Sequence, residues 1–217
     1  MSPLSIPDSP SAGVGAVPLV HIIDDDDALR DSLAFLLQSV GIEALVYPTA
    51  TAFLEEFDPK EPAVVVVDIR MPGLSGFQLQ DQLMSIGYPA PVVFCSAHGD
   101  IPTSVRAMRH GAVDFLEKPY DPHRMLELLQ RHLASSANRF VEHEARREVA
   151  ERVSDLTPRE REVLRLAVNG LPSQRIAQIL GASVKTVDVH RARIKSKTGA
   201  SSLGALTRDI LLHRVAV

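Results

Sequence analysis

Between residues 18 and 122, short apolar runs alternate with longer stretches in which apolar residues recur every three or four positions. The runs have the length of buried strands, and the longer stretches have the periodicity of amphipathic helices. This alternation is typical of a parallel sheet with helices on both faces, so we predict a doubly wound α/β domain over 18–122. The predicted strands are 18–23, 42–46, 63–67, 91–95 and 113–116, and the predicted helices are 27–39, 49–57, 75–85 and 101–110.

Helical periodicity resumes after Pro122, where leucine and methionine residues between 125 and 133 share one face. The stretch that follows, 138–153, is nearly all charged or small. It fits either a solvated linker helix or a weak coiled-coil seam, because its apolar positions are too few to decide between them. We therefore predict that residues 123–153 form a fifth helix that extends into a linker.

Residues 154–217 contain four short helical patterns separated by brief turns. Thr157 and Glu160 have the spacing of a capping box, which would begin the first of these helices. Gly170 and Gly181 follow the first and second patterns, where a left-handed residue commonly ends a helix. We predict an all-α domain of four helices with a helix-turn-helix.

The charge differs between the two ends of the chain. Residues 1–150 carry 11 Lys and Arg against 21 Asp and Glu, and residues 151–217 carry 12 against 6. The first part is therefore acidic and the second basic, and the whole chain has a net charge of −4. This division suggests two domains with different partners, the basic one facing nucleic acid.

Composition also bears on where the protein works. The chain has a single cysteine, Cys95, which lies in an apolar run. With no second cysteine it has no disulfide framework, which fits a reducing compartment. No apolar stretch approaches the roughly 18 residues that cross a bilayer. Residues 1–17 are rich in Ser, Pro and Gly and lack the basic start of a signal peptide. We predict a disordered tail over 1–17, no membrane association and a cytoplasmic location.

Four of the apolar runs end in residues that suit a metal ion or a phosphoryl group. Asp24 and Asp25 follow the first run, and Asp68, Ser96 and Lys118 end three later ones. The carboxyl ends of the strands in a parallel sheet meet at one edge, where ligands bind. These five residues are therefore predicted to share one pocket.

Asp68 is the predicted chemical centre of this pocket, because a carboxylate can accept a phosphoryl group once the repulsion between anions is cancelled. Mg²⁺ prefers oxygen ligands, and we expect the three aspartates and the backbone carbonyl of Arg70 to bind it. Lys118 and Ser96 are expected to contact the phosphoryl oxygens.

Each residue has a plainer explanation when it is taken alone. Acidic residues often lie at a helix N-terminus, and a Lys-Pro pair often lies in a loop. We assign Asp26 and Asp27 to the start of the first helix. For the other residues, the joint placement at four strand ends favours a site.

Residues 18–122 resemble the receiver domain of two-component response regulators, which has a flavodoxin-like fold. The resemblance is carried by the acidic pair, the segment Asp68-Ile69-Arg70-Met71-Pro72-Gly73, Ser96 and Lys118-Pro119, and the segments 97–102 and 111–119 are similar to the FixJ/StyR-type subgroup.

This resemblance implies that a sensor histidine kinase donates a phosphoryl group to Asp68. It also implies that Ser96 moves towards the phosphoryl oxygens and that Phe115 turns inward as a switch residue. An ordinary core aromatic is the alternative for Phe115. The surface formed by 101–116 is then expected to support dimerisation.

The helical pattern at 184–198 has an apolar face and a face of short polar, small and basic residues, as a recognition helix in the major groove requires. We expect Asp188 to accept from a cytosine amino group and Val189 or Ala192 to contact a thymine methyl. The cations are expected to hold phosphates, although a solvated helix face is the plainer alternative. The predicted DNA contacts are Lys185, Thr186, Asp188, Val189, Ala192, Arg193 and Lys197.

Residues 154–215 are similar to the NarL/LuxR-type helix-turn-helix domain, a resemblance carried by 156–164, by the Ile176-Ala177 and Leu180-Gly181 pairs and by 185–194. Lys195 and Thr198 depart from it, because apolar residues are usual at both positions. We expect a buried threonine there to loosen the domain by roughly 1–3 kcal/mol.

We interpret the chain as a transcription factor that is switched by phosphorylation, and not as an enzyme. Its expected partners are a sensor histidine kinase, promoter DNA, a second copy of the chain and RNA polymerase. An aspartyl-phosphate phosphatase would share the acidic pocket but needs a substrate-sized cap domain. A regulator independent of phosphorylation, or a phosphate sink, would need only one of the two domains.

Overall fold

The computed structural model describes residues 18–97 and 100–217, which form two compact units divided between Phe140 and Val141. The predicted disordered tail over 1–17 lies outside the described residues, as do two positions of the 97–102 segment, His98 and Gly99. Within the part of the chain that is described, no helix is long and apolar enough to cross a membrane.

The first unit is a five-stranded parallel sheet with the strand order β2-β1-β3-β4-β5, which confirms the predicted fold class. Each strand lies within two residues of its predicted position. Asp68 and Ser96 lie inside their strands, because backbone pairing continues through Asp68 opposite Cys95 and Ser96 opposite Glu117. The strands are β1 (Leu19–Ile23), β2 (Ala44–Tyr47), β3 (Ala63–Asp68), β4 (Val92–Ser96) and β5 (Asp114–Glu117), and the helices between them are α1 (Asp27–Ser39), α2 (Ala50–Glu56), α3 (Gly76–Ser85) and α4 (Ile101–Arg109).

Two apolar layers cover the sheet, because successive residues of a strand point to opposite faces. On one face, Val64 and Val66 belong to a cluster with residues of α1 and of the helix that follows β5. On the other face, Val65 and Val67 belong to a cluster with residues of α2, α3 and α4. The central strands are therefore buried on both sides and read as continuous apolar runs in the sequence.

The helix after β5 is α5 (Pro122–Ser154). It includes all of 138–153, the stretch whose sequence fits either a linker helix or a coiled-coil seam. Its earlier part belongs to the first unit, where the Ser136 hydroxyl donates to the carbonyl of Ala63 at 2.8 Å and Phe140 packs edge-on against Tyr88. Its last turns belong to the second unit, where Val149 and Val153 are buried in the core.

The second unit adds four helices, as predicted: α6 (Pro158–Val168), α7 (Ser173–Leu180), α8 (Val184–Thr198) and α9 (Leu203–Leu212). The predicted capping box is present, since Thr157 and Glu160 exchange side-chain and backbone hydrogen bonds at the start of α6. Gly181 and Gly199 end α7 and α8 in the left-handed conformation, which glycine adopts without steric cost.

Thr198 is buried as expected, with 4% of its surface exposed, but its hydroxyl donates to the carbonyl of Ile194 at 2.8 Å. A satisfied hydroxyl removes most of the penalty for burying a polar group, so the expected loosening shrinks to the loss of apolar packing. Lys195 is exposed and replaces no core residue.

His21, in the middle of β1, is fully buried against the rings of Tyr47 and Phe53, and burial lowers its pKa from 6.5 to about 4. Between pH 6.5 and pH 4 the unfolded chain therefore binds a proton at His21 that the folded chain does not bind. We expect the free energy of unfolding of the first unit to fall as the pH drops through this window, by on the order of 3 kcal/mol in all.

The fluorescence of Tyr47, Tyr88 and Tyr120 can follow this loss in denaturant titrations at pH 7 and pH 5, because all three tyrosines of the chain lie in the first unit. His21→Leu should reduce the difference between the two pH values. His123→Leu, at an exposed position, is the control and should leave it unchanged. An equal pH dependence in His21→Leu and the unaltered chain would contradict the assignment.

Candidate functional site

Three carboxylates meet at the carboxyl edge of the sheet. Asp24 and Asp25 follow β1 and Asp68 ends β3, and one oxygen of each lies within 4.8 Å of the other two. Asp24 and Asp68 are buried, whereas Asp25 is exposed. The structure thus brings together the three aspartates that the sequence placed at strand ends.

Lys118 joins this acidic cluster from the end of β5. Its ammonium lies 2.5 Å from Oδ2 of Asp24 and 3.6 Å from Oδ2 of Asp68. Its backbone N–H donates to the carbonyl of Ser96 at 2.8 Å, which ties the loop after β5 to the end of β4. Burial disfavours the charged ammonium, but the hydrogen bond to Asp24 and the two carboxylate charges prevail and raise the pKa of Lys118.

The carboxyl of Asp68 is held in an environment that disfavours its own charge. Burial, and then the neighbouring charge of Asp24, raise its pKa, against the opposing effects of Lys118 and of the backbone amides of Arg70 and Ile69. Its Oδ1 atom is buried and has no hydrogen-bond partner among residues 18–97 and 100–217. A buried acceptor of this kind normally requires a partner.

This oxygen-rich donor set fits a hard divalent cation such as Mg²⁺. A cation would neutralise the mutual repulsion of the aspartates and give Oδ1 of Asp68 a partner. Arg70, whose carbonyl was predicted as a further ligand, lies with Asp25 on the wall of an open groove of about 810 Å³ beside the cluster.

Two supporting residues were missed by the sequence reasoning. Arg30, buried on α1, donates to the backbone carbonyl of Asp24 at 2.5 Å and pairs with Asp27. The signal for it was an arginine close to the apolar face of α1. Asp26 caps α1 as predicted, by accepting from the amides of Ala28 and Leu29.

Gly76, the other missed residue, opens α3 directly behind Asp68. A Cβ atom at Gly76 would lie 2.4 Å from the backbone oxygen of Asp68, so only glycine permits this approach. The backbone N–H of Gly76 donates to the carbonyl of Ile69 at 3.1 Å. The start of α3 is thus packed against the strand end that carries Asp68.

Two further residues predicted for the site, Ser96 and Phe115, lie on β4 and β5. Ser96 is the last residue of β4 and is buried. Phe115 lies on β5, is half-buried and packs against the core cluster on the side of α2, α3 and α4. Its position is compatible with a switch residue and with an ordinary core aromatic.

Helix α8 in the second unit has the two faces that the sequence predicted. Val187, Ile194 and Thr198 are buried against the core. Most of the residues predicted to contact DNA are exposed and form what we call the α8 surface. Its members are Lys185, Thr186, Asp188, Val189, Ala192 and Arg193.

Lys197 differs from the other predicted DNA contacts. Its ammonium lies 2.8 Å from Oε2 of Glu160, a side chain that is only 3% exposed, and it also donates to the carbonyl of Asp155 at 3.3 Å. Hydrogen bonds from Lys197 and from the amide of Thr157 lower the pKa of Glu160 to about 2. The structure therefore shows Lys197 in an ion pair within the second unit, and its predicted phosphate contact stays a prediction.

Comparison with known families agrees with both units. Residues 20–130 match the model of the response regulator receiver domain. Residues 154–209 match the model of bacterial regulatory proteins of the luxR family.

Similar proteins cover almost the whole chain. The transcriptional regulatory protein FixJ of Azorhizobium caulinodans is 45% identical over 197 residues, which are 91% of this chain and 93% of that protein. The C4-dicarboxylate transport transcriptional regulatory protein DctR of Rhodobacter capsulatus is 38% identical and covers 87% of this chain and 97% of its own length.

Among solved structures, the response regulator StyR is similar with a TM-score of 0.61 and 40% identity, over 91% of this chain and all of that one. Full-length FixJ from B. japonicum has a TM-score of 0.52 and 35% identity, over 92% of this chain and 98% of its own.

The close approach of Gly76 to Asp68 leads to a stability prediction. In Gly76→Ala the added methyl meets backbone atoms, which cannot move aside as a flexible side chain can. We expect the first unit to lose about 1–3 kcal/mol, measured by tyrosine fluorescence in a denaturant titration.

Gly204→Ala is the matched control. The nearest atom to its added Cβ is Oγ of Ser202, the N-cap residue of α9, at 3.8 Å, which is an ordinary contact. This change should leave the second unit unaffected or stabilise it by up to about 1 kcal/mol, measured by circular dichroism. An unchanged unfolding midpoint in Gly76→Ala would show that the backbone at Asp68 yields without cost.

Proposed function

The chain belongs to the response regulators, as a two-component transcriptional regulator that joins a receiver domain to a LuxR-type DNA-binding domain, and from this membership we propose that Asp68 is its phosphoacceptor. The family is one of transcription regulators and not of classical enzymes. The observation that carries the proposal is the meeting of three carboxylates and one ammonium at the ends of β1, β3 and β5. We propose the domain limits 18–122 and 154–217, with 123–153 as the fifth helix and linker.

In the proposed reaction a sensor histidine kinase is the donor. An oxygen of Asp68 forms a bond to phosphorus while the bond from phosphorus to the histidine nitrogen breaks, and the electron pair of that bond stays with the histidine ring. Lys118 supplies positive charge to the phosphoryl oxygens from its place beside Asp24 and Asp68. Asp24, Asp25 and Asp68 carry negative charge at this site, so the ammonium favours the approach of an anionic donor.

Mg²⁺ is the proposed cofactor, held by Asp24, Asp25, Asp68 and the backbone carbonyl of Arg70. When it is bound, it neutralises charge on the carboxylates and on the transferred group. Support for this choice comes from the three carboxylate oxygens within 4.8 Å of one another and from the buried Oδ1 of Asp68, which no described residue contacts by a hydrogen bond.

We propose that Ser96 and Phe115 carry the response to the new charge. Ser96, at the end of β4 beside β3, would donate its hydroxyl to a phosphoryl oxygen on Asp68. Phe115 lies three residues before Lys118 on β5 and would turn inward as Ser96 moves. The exposed apolar residues of α4, Ile101, Val105 and Met108, suit a surface that pairs two phosphorylated copies.

The output is proposed to be promoter binding through the α8 surface, with Asp188, Val189 and Ala192 facing base edges and Lys185, Thr186 and Arg193 at phosphates. A dimer would present two such surfaces to half-sites about one helical turn apart. Contact with RNA polymerase and a cytoplasmic location complete the proposal.

The phosphoacceptor is tested by Asp68→Asn. We expect this variant to take up no phosphoryl group from a histidine kinase or from acetyl phosphate with Mg²⁺, because the amide lacks the nucleophilic carboxylate. Intact-protein mass spectrometry measures the uptake, and removal of Mg²⁺ with a chelator should abolish it in the unaltered chain. Asp31→Asn, at an exposed position of α1, is the control and should be phosphorylated normally. Phosphorylation of Asp68→Asn would refute the assignment.

The assignment of base contacts is tested by selecting duplexes from a random pool with the unaltered chain, with Asp188→Asn and with Ala192→Gly. We expect the preferred base to change at one or two positions of the site, each worth about 1–3 kcal/mol. The same selection with Lys185→Met should return the same sequence at lower affinity, because phosphate contacts carry no sequence information. An unchanged preference in Asp188→Asn and Ala192→Gly would show that another surface reads the bases.

A further inference from the structure

The carboxyl-terminal end of α8 is fixed by the ion pair between Lys197 and Glu160. Glu160 belongs to the first turn of α6, and the same oxygen that accepts from Lys197 also accepts from the backbone N–H of Thr157 at 2.9 Å. The acceptor is therefore fixed by the capping box and is almost wholly buried. If Lys197 turned outward to a phosphate, it would leave a buried carboxylate unpaired, which is strongly unfavourable.

A second contact fixes the same end of α8 from another helix. Arg152, in the last turn of α5, donates from Nε to the carbonyl of Thr198 at 3.1 Å. Its Nη1 lies 3.2 Å from Oδ2 of Asp209 on α9. A cation is favourable there, because the final carbonyls of a helix carry partial negative charge. The end of α8 is thus connected to α5, α6 and α9 by two charged side chains.

We propose that Lys197 and Arg152 are positioning residues for DNA recognition, which hold the end of α8 so that the α8 surface meets the bases, and that neither contacts phosphate. The inference rests on the proposed function of that surface. Asp188 lies nine residues before Lys197, which is about 14 Å along a helix axis. A tilt of about 5° at the fixed end therefore moves Asp188 by roughly 1 Å, which is enough to misalign a hydrogen bond to a base edge.

The test separates positioning from charge by two measurements on the full chain. The probes are a duplex enriched from a random pool by the unaltered chain and a scrambled duplex of equal length, each titrated between 50 and 200 mM salt. In Lys197→Met and Arg152→Met, we expect the ratio of the two affinities to fall about tenfold, since base contacts are lost. The slope of log affinity against log salt should stay unchanged, since no phosphate contact is lost.

Lys185→Met is the matched control on the same helix. Lys185 is exposed and is proposed to contact phosphate, so its replacement should lower the salt slope by about 0.9 and leave the affinity ratio unchanged. Glu160→Gln should reproduce the effect of Lys197→Met, and the double variant should be no worse than either single one, because both remove the same contact.

Each outcome decides between the alternatives. Circular dichroism identifies any variant that does not fold, and Lys197→Gln and Arg152→Gln, which remove the charge but keep a polar side chain, then take the place of the methionine variants. A lower salt slope in Lys197→Met would make it a phosphate contact and overturn the proposal, as would an unchanged affinity ratio in a folded variant. If the unaltered chain enriched no duplex, the proposed function itself would be contradicted, and the inference with it.

Discussion

The chemistry of the first unit depends on the ion pairs that the ammonium of Lys118 forms. This ammonium lies between the carboxylates of Asp24 and Asp68, which would otherwise repel each other in a partly buried pocket. In the described part of the chain one ammonium contacts this group of three carboxylates, and burial still raises the pKa of Asp68. The pocket is therefore short of positive charge, and this shortage makes it receptive to a cation and sensitive to a phosphoryl group.

The sheet brings these charges together because all five strands run parallel and end at the same edge. Residues that are 94 positions apart in sequence, Asp24 and Lys118, thereby form a direct hydrogen bond. Backbone contacts then fix the strand ends: Arg30 holds the carbonyl of Asp24, and the start of α3 packs behind Asp68 at Gly76. The geometry of the pocket depends on the packing around it as much as on the charged residues.

The second unit uses charge differently. Basic residues on the α8 surface are exposed and available to a polyanion, whereas Lys197 and Arg152 are engaged in contacts within the unit. Glu160 connects the two uses, because it caps α6 and also anchors the end of α8. A helix that reads bases needs a fixed orientation, and a small four-helix core gains that orientation from a few charged contacts at helix ends.

Most of the fold and the acidic cluster follow from the sequence, because periodicity, caps and the residues at strand ends are local features, and parallel strands bring such ends together. The sequence also predicted which residues of α8 face outward. Only the tertiary structure decided what Lys197 and Gly76 do. From local sequence, a basic residue on a helix is expected to be solvated, and a glycine is expected to lie in a turn. The roles of Lys197 and Gly76 arise instead from contacts with another element, and local sequence patterns do not encode distances between elements.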